Sequence, residues 1–171
     1  KDYPIFLTRD INTAKTWIKS KAKGSERYGM IASSGAKRLR KYGVWIQNKV
    51  EAEKWFLNPK TDIRSSYFLE ETATEFDIQG LELDWTIVCW DANLRYDKNF
   101  EYYNFTGDSW KNINKEEIRV YLKNTYRVLL TRARQGFIIF VPQGDSEDET
   151  MQTKFYDGVY YYLKNIGIEE I

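Results

Sequence analysis

Residues 85–93 read WTIVCWDAN, with apolar side chains at consecutive rather than alternate positions. A strand with one wet face alternates polar and apolar residues. One that is apolar on both faces is covered on both, as a central strand of a parallel α/β sheet is. The segments on either side agree with that reading. Upstream, PIFLTRD (4–10) is predicted as a short strand, and residues 11–24 place Ile11, Ala14, Ile18 and Ala22 at helical spacing before Gly24. RYGMIAS (27–33) is a second strand candidate, SGAKRLRKYG (34–43) a short basic helix closed by Gly43, and VEAEKWFLN (50–58) a helix ended by Asn58-Pro59. SYFLEETAT (66–74) supplies a strand that leads into the loop EFDIQGLELD (75–84).

Downstream, residues 94–110 alternate aromatic and polar residues around turn formers and read as a hairpin or an irregular insertion. Asn114 is the predicted cap of a helix with Glu116 and Glu117 in its first turn. That helix is expected to run to about Arg134 and to stop at a left-handed Gly136. FIIFVP (137–142) is a buried strand, GDSEDET (144–150) an acidic solvated loop, and residues 151–167 a closing helix rich in tyrosine. Strands alternating with helices imply an open, mostly parallel α/β sheet in a single domain spanning residues 1–171. Ligands of such sheets sit beyond the carboxyl ends of the strands.

Composition removes several chemistries. The chain has 171 residues, with 26 basic against 25 acidic side chains, so any electrostatic footprint must be local. With no histidine, a Ser-His-Asp triad and His-ligated zinc are excluded; with one cysteine, Cys89, so are an intrachain disulfide and a Cys-rich cluster. Cys89 reads as a core thiol, and a lone cysteine fits a reducing, cytoplasmic compartment. No stretch approaches a membrane span, and the N-terminus has no signal-peptide pattern. It opens without methionine and enters a strand within four residues, so the chain is expected to be a piece of a longer one.

Two stretches point to chemistry. In 75–84, Gly80 lies between Glu75 and Asp77 on one side and Glu82 and Asp84 on the other. A glycine lets backbone amides approach a ligand, and a carboxylate accepts from sugar hydroxyls; the plainer reading is a turn with solvated acids. On the helix that leads from about Asn114 into YRVLLTRARQGF (126–137), Ile118, Leu122, Thr125 and Leu129 form one face that Arg132 continues, while Arg134 points nearly opposite. A helix C-terminus accounts for Arg134, whereas an inward guanidinium at 132 needs an anionic partner. In SSGAKRLR (33–40), a serine cap could hold a phosphate on free amides, and Lys37, Arg38, Arg40 and Lys41 could track a nucleic-acid backbone. The plainer reading is a capped, solvated helix.

QGLELDWTIV resembles the fifth motif of superfamily 1 helicases, and YRVLLTRARQGFIIF the sixth. Together with SSGAKRLR and EFDIQGLELD they are similar to the bacterial Schlafen-group-3-like family of DNA/RNA helicases and P-loop NTPases, from about Tyr28 to the C-terminus. The resemblance implies a RecA-like three-layer α/β/α fold, the second, C-terminal motor domain, with ATP and Mg²⁺ held by an N-terminal RecA-like domain outside this chain. On that resemblance Arg132 is the arginine finger. Gln79 and Gly80 lie near the same phosphate, Glu82 accepts from the ribose, and Arg134 is a secondary candidate, either a phosphate contact or a helix end. Thr74, Ser34, Lys37 and Arg38 would meet DNA or RNA.

The sequence departs from the pattern in two places. Thr74 keeps the family's threonine, but Phe76 and Asp77 replace a histidine and a basic residue, which leaves an ATP-gated switch without unwinding as the alternative. No G-x-x-x-x-G-K-[ST] occurs, so the chain alone is not expected to hydrolyse ATP. The acids form no paired cluster that would suggest a metal-dependent nuclease.

Overall fold

The structure, a computed structural model, describes residues 2–171. In chain order its elements are β1 (Ile5–Thr8), α1 (Ile11–Lys21), β2 (Tyr28–Ala32), α2 (Ala52–Leu57), β3 (Thr72–Thr74) and β4 (Leu83–Cys89). There follow β5 (Leu94–Tyr96), β6 (Phe100–Thr106), β7 (Ser109–Asn112), α3 (Glu116–Leu130), β8 (Ala133–Phe140), α4 (Lys154–Asn165) and β9 (Glu169–Glu170). Six strands pair in the order β3-β2-β4-β8-β1-β9, every pairing parallel. The WTIVC run is therefore the interior strand β4, as its two-sided apolarity predicts. Val88 faces one core with Leu122, Tyr126 and Leu129 of α3 and Tyr156 and Val159 of α4. Ile87 and Cys89 face the other with Ile11, Ala14 and Ile18 of α1. The result is the three-layer α/β/α arrangement of RecA-like folds.

α1 starts where Asp10 accepts the Asn12 N–H and runs with its apolar stripe inward. Residues 94–112 form a three-stranded antiparallel sheet, β5-β6-β7, so the hairpin reading holds. It is fixed to the domain by Arg95, whose Nε donates to the Ala92 carbonyl while its guanidinium lies 3.8 Å from the Tyr103 ring centroid and 3.6 Å from that of Phe155. Gly158 lets α4 approach this sheet, because a Cβ there would lie 1.7 Å from the Tyr96 carbonyl oxygen.

Four local expectations are corrected. SGAKRLRKYG forms turns and only a 3₁₀ turn, Arg40–Tyr42, before a left-handed Gly43; Ala36 and Leu39 are pulled into the core at a spacing that turns satisfy, so no serine-capped α-helix exists there. α3 is capped at Lys115 rather than Asn114, with no side-chain bond, although Glu116 and Glu117 do occupy its first turn. α3 also ends at Leu130. Thr131 Oγ1 bonds back to the carbonyls of Arg127 and Val128, and Leu83 N–H takes the Arg132 carbonyl, drawing the chain into β8. Gly136 therefore lies inside a strand. Its lack of a side chain serves packing, since a Cβ would meet the Pro4 carbonyl oxygen at 2.6 Å and Trp85 at 2.9 Å. Lastly, the loop 144–150 is anchored rather than freely solvated, through Asp145 to Lys41 (2.7 Å) and Asp148 to Arg38 (3.0 Å).

Candidate functional site

Between β3 and β4 the chain crosses one face of the sheet beside α3. It leaves β3 by a turn in which Asp77 Oδ2 accepts both the N–H and the O–H of Thr74, at 2.8 and 3.0 Å. Ile78 is buried beneath the turn, and Gly80 has φ +74°, the left-handed backbone that glycine adopts without strain. This places Gln79 and Gly80 opposite the end of α3. A groove of about 320 Å³ opens there, walled by Glu75, Phe76, Gln79, Gly80, Val128 and Arg132. Three of the residues picked from sequence, Gln79, Gly80 and Arg132, thus meet across one groove although they are some fifty positions apart in the chain.

Arg132 is half-buried, and its Nε donates to the Val128 carbonyl at 3.3 Å. Among the described residues no carboxylate pairs with it, so its terminal nitrogens remain available to an anion. It reaches the groove from the connection between α3 and β8, not from the helix itself. Arg134 is displaced further: it stands exposed on β8 and pairs with Glu82 at 3.0 Å. Helix-end electrostatics therefore do not explain Arg134, because it is not on a helix. Neither Glu82 nor Arg134 lines the groove. The ion pair between them is exposed, a class worth little in stability.

The residues proposed for nucleic acid are mostly engaged within the chain. Lys37 Nζ donates to the Phe105 carbonyl, and Arg38 donates through Nε to Thr150 and through Nη2 to Asp148. Ser34 gives its N–H and its O–H to the two oxygens of Glu75, at 2.7 and 2.6 Å. The reason is placement: without a helix to display them, Lys37 lies against the hairpin, Arg38 against the acidic loop and Ser34 against the turn that follows β3.

A buried polar network that sequence reading passed over lies at the carboxyl ends of β2 and β4. Asp91 and Asn93 follow β4; Ser33 and Gly35 follow β2. Asp91 accepts from Arg38 N–H (2.9 Å), Ala92 N–H (2.8 Å) and Tyr156 O–H (2.8 Å). Asn93 donates to Ser33 Oγ at 3.0 Å and accepts from Tyr126 O–H at 2.6 Å. Burial pushes the Asp91 carboxyl above its usual range against those bonds, and pushes the Tyr126 and Tyr156 phenols upward too, so both tyrosines stay protonated donors. Gly35 admits the Asn93 amide, which a Cβ would meet at 2.8 Å. The sequence signal was polar Asp91 and Asn93 directly after the most apolar strand, where an α/β sheet builds its site.

Glu75 joins the two regions, holding Ser34 after β2 while walling the Arg132 groove. The described residues contain no group of three or more histidines, cysteines or acids able to hold a metal, and no helix is long and apolar enough to cross a membrane. A family model described as Schlafen group 3, DNA/RNA helicase domain matches residues 1–143, starting before Tyr28 and stopping short of α4. Neither a curated protein nor a solved structure matches the chain.

Proposed function

The chain belongs to the Schlafen group 3 DNA/RNA helicase domain family, and from that premise we propose that it is the second RecA-like motor domain of an ATP-dependent helicase or translocase. The observation that carries this is Arg132, a guanidinium without an acidic partner, aimed into a groove with Gln79 and Gly80. In this reading ATP and Mg²⁺ are held by an N-terminal RecA-like domain of the same protein, and Arg132 meets the γ-phosphate from across the cleft. Its role is to stabilise charge that develops on the transferring phosphoryl group, an effect worth about 10³–10⁵ in rate for such fingers. Gln79 and the amide of Gly80 complete the polar wall. Glu82 becomes available to a ribose once Arg134 releases it, and Arg134 is then free to meet a phosphate.

The test is ATPase activity of the protein that carries both domains, with Arg132→Ala. A loss of at least a hundredfold in kcat with nucleotide binding retained is expected. Activity within a few-fold of the parent rejects the finger.

One observation favours the second reading, an ATP-gated switch without unwinding. Thr74 and Asp77 close on one another, and Phe76 stands 55% exposed where relatives of the superfamily resemblance carry histidine. ATP hydrolysis that single-stranded DNA or RNA leaves unchanged supports the switch; stimulation supports the motor.

A further inference from the structure

Strand order locates a second cavity. From β2 the chain passes outward to β3; from β4 it passes the other way to β8. The carboxyl ends of β2 and β4 therefore flank a topological switch point, where the two outgoing connections diverge and leave a crevice. That crevice is open here as a cavity of about 510 Å³, roofed by the β6–β7 hairpin and the start of α3. Its wall contains Ser34 and Glu75 on the strand side, carboxamides from the hairpin including Asn104, and the exposed ring of Tyr121. Lys111 and Lys115 stand at its rim, exposed and with no acidic partner among the described residues.

We propose that this cavity is a nucleotide-binding subsite, separate from the Arg132 groove, that takes one base against Tyr121 and its phosphate at Lys111 and Lys115. Three features of the wall fit that ligand together. An exposed aromatic ring beside an apolar floor accepts the face of any base. Carboxamides match the mixed donors and acceptors of base edges. Two free ammonium groups offset a phosphate, and they are local cations on a chain whose total charge is nearly balanced. A duplex cannot lower one base into such a cavity without unpairing it, so the ligand is a single strand or a free nucleotide.

Tyr121, Thr125 and Glu75 wall both the cavity and the Arg132 groove. A base seated on Tyr121 thus touches the same ring and the same Glu75–Ser34 clasp that shape the finger's surroundings. The subsite rests on the reading of the chain as a nucleic-acid motor domain, but it makes no use of ATP.

The experiment is fluorescence anisotropy of a short fluorescein-labelled single-stranded oligonucleotide, as DNA and as RNA, without ATP and with adenosine monophosphate as competitor. Tyr121→Ala should weaken binding about tenfold while Tyr121→Phe stays within about twofold of the parent, as loss and retention of one stacked ring require. The double variant Lys111→Ala with Lys115→Ala should weaken binding and lower the salt slope by roughly 0.7, the value for one phosphate of a single strand. Those lysines do not wall the arginine groove, so their effect reports on the cavity. Displacement of the probe by adenosine monophosphate, in a manner lost with Tyr121→Ala, supports the subsite and assigns it to free nucleotide. Its failure to displace assigns the subsite to the strand. Absence of binding by either probe overturns the proposal, as does unchanged affinity in Tyr121→Ala. Loss of ATPase in Arg132→Ala is independent of all these outcomes, so the finger and the subsite fail separately.

Discussion

Replacing Glu75 probes the contact that joins the two halves of the site. Glu75 is 7% exposed, and its carboxylate takes two bonds from one residue, the Ser34 O–H at 2.6 Å and the Ser34 N–H at 2.7 Å. Hydrogen bonds to a charged acceptor contribute about 1.5–3 kcal/mol each, but Ser34 is half-buried and recovers part of that from water when its partner is removed. Glu75→Ala should therefore cost about 2–3 kcal/mol. For a domain of this size, that corresponds to a fall of roughly 5–10 °C in melting temperature. Glu75→Gln keeps the shape and one acceptor, so about 1 kcal/mol is expected. Ser34→Ala removes the shorter bond and leaves the amide bond, again about 1 kcal/mol. Urea denaturation of the parent, Glu75→Ala, Ser34→Ala and the double variant measures the coupling directly. A Glu75/Ser34 coupling of at least about 0.5 kcal/mol is expected for residues in contact. If Glu75→Ala unfolds within about 0.5 kcal/mol of the parent, the level of an ordinary surface change, then the clasp contributes nothing and the link between the two cavities loses its physical basis.

Other outcomes follow from single positions. Arg132→Ala should leave stability within about 0.5 kcal/mol by denaturant titration, since the side chain gives up one long hydrogen bond and no ion pair, while ATPase activity collapses. Gly136→Ala and Gly158→Ala should both destabilise by at least about 1–3 kcal/mol, because each forces a methyl group onto a fixed backbone oxygen, Pro4 in one case and Tyr96 in the other. A folded, equally stable Gly158→Ala protein would contradict the packing of α4 on β5. Burial pushes the Cys89 thiol up to about 12, so a colourimetric thiol reagent at pH 8 should detect no cysteine in the native protein and one after denaturation.

The YRVLLTRARQGF stretch shows best where sequence reading ends. Periodicity identified the helix and its buried face, and Leu122, Thr125 and Leu129 are indeed inside, yet Ile118 on the same stripe is exposed at the cavity. The helix ends at Leu130, several residues before the Arg134 that periodicity alone predicts. Nothing in the local sequence forbids helix through Arg134; the competing pull is the pairing of Ala133 with Leu83, fifty residues away. That pairing turns two arginines on a helix into one at a groove and one on a strand. The basic run 37–41 differs from its local pattern for a similar reason: instead of a helix it forms turns, and two of its cations, Arg38 and Lys41, pair with acids of a loop more than a hundred residues later.

The sequence by itself determined the layered α/β class and the interior strand, since two-sided apolarity is a local property that has only one sheltered location in such a sheet. Through its family resemblance it also singled out Gln79, Gly80 and Arg132, and it ruled out histidine chemistry, an intrachain disulfide and a Cys-rich cluster by count alone. Only the tertiary structure decided which of those residues meet, that Glu82 and Arg134 hold each other outside the groove, and that β2 and β4 flank an open crevice. Strand order, register and cavity shape are set by contacts between distant segments. A local pattern of side chains records its own burial but not the partner that provides it.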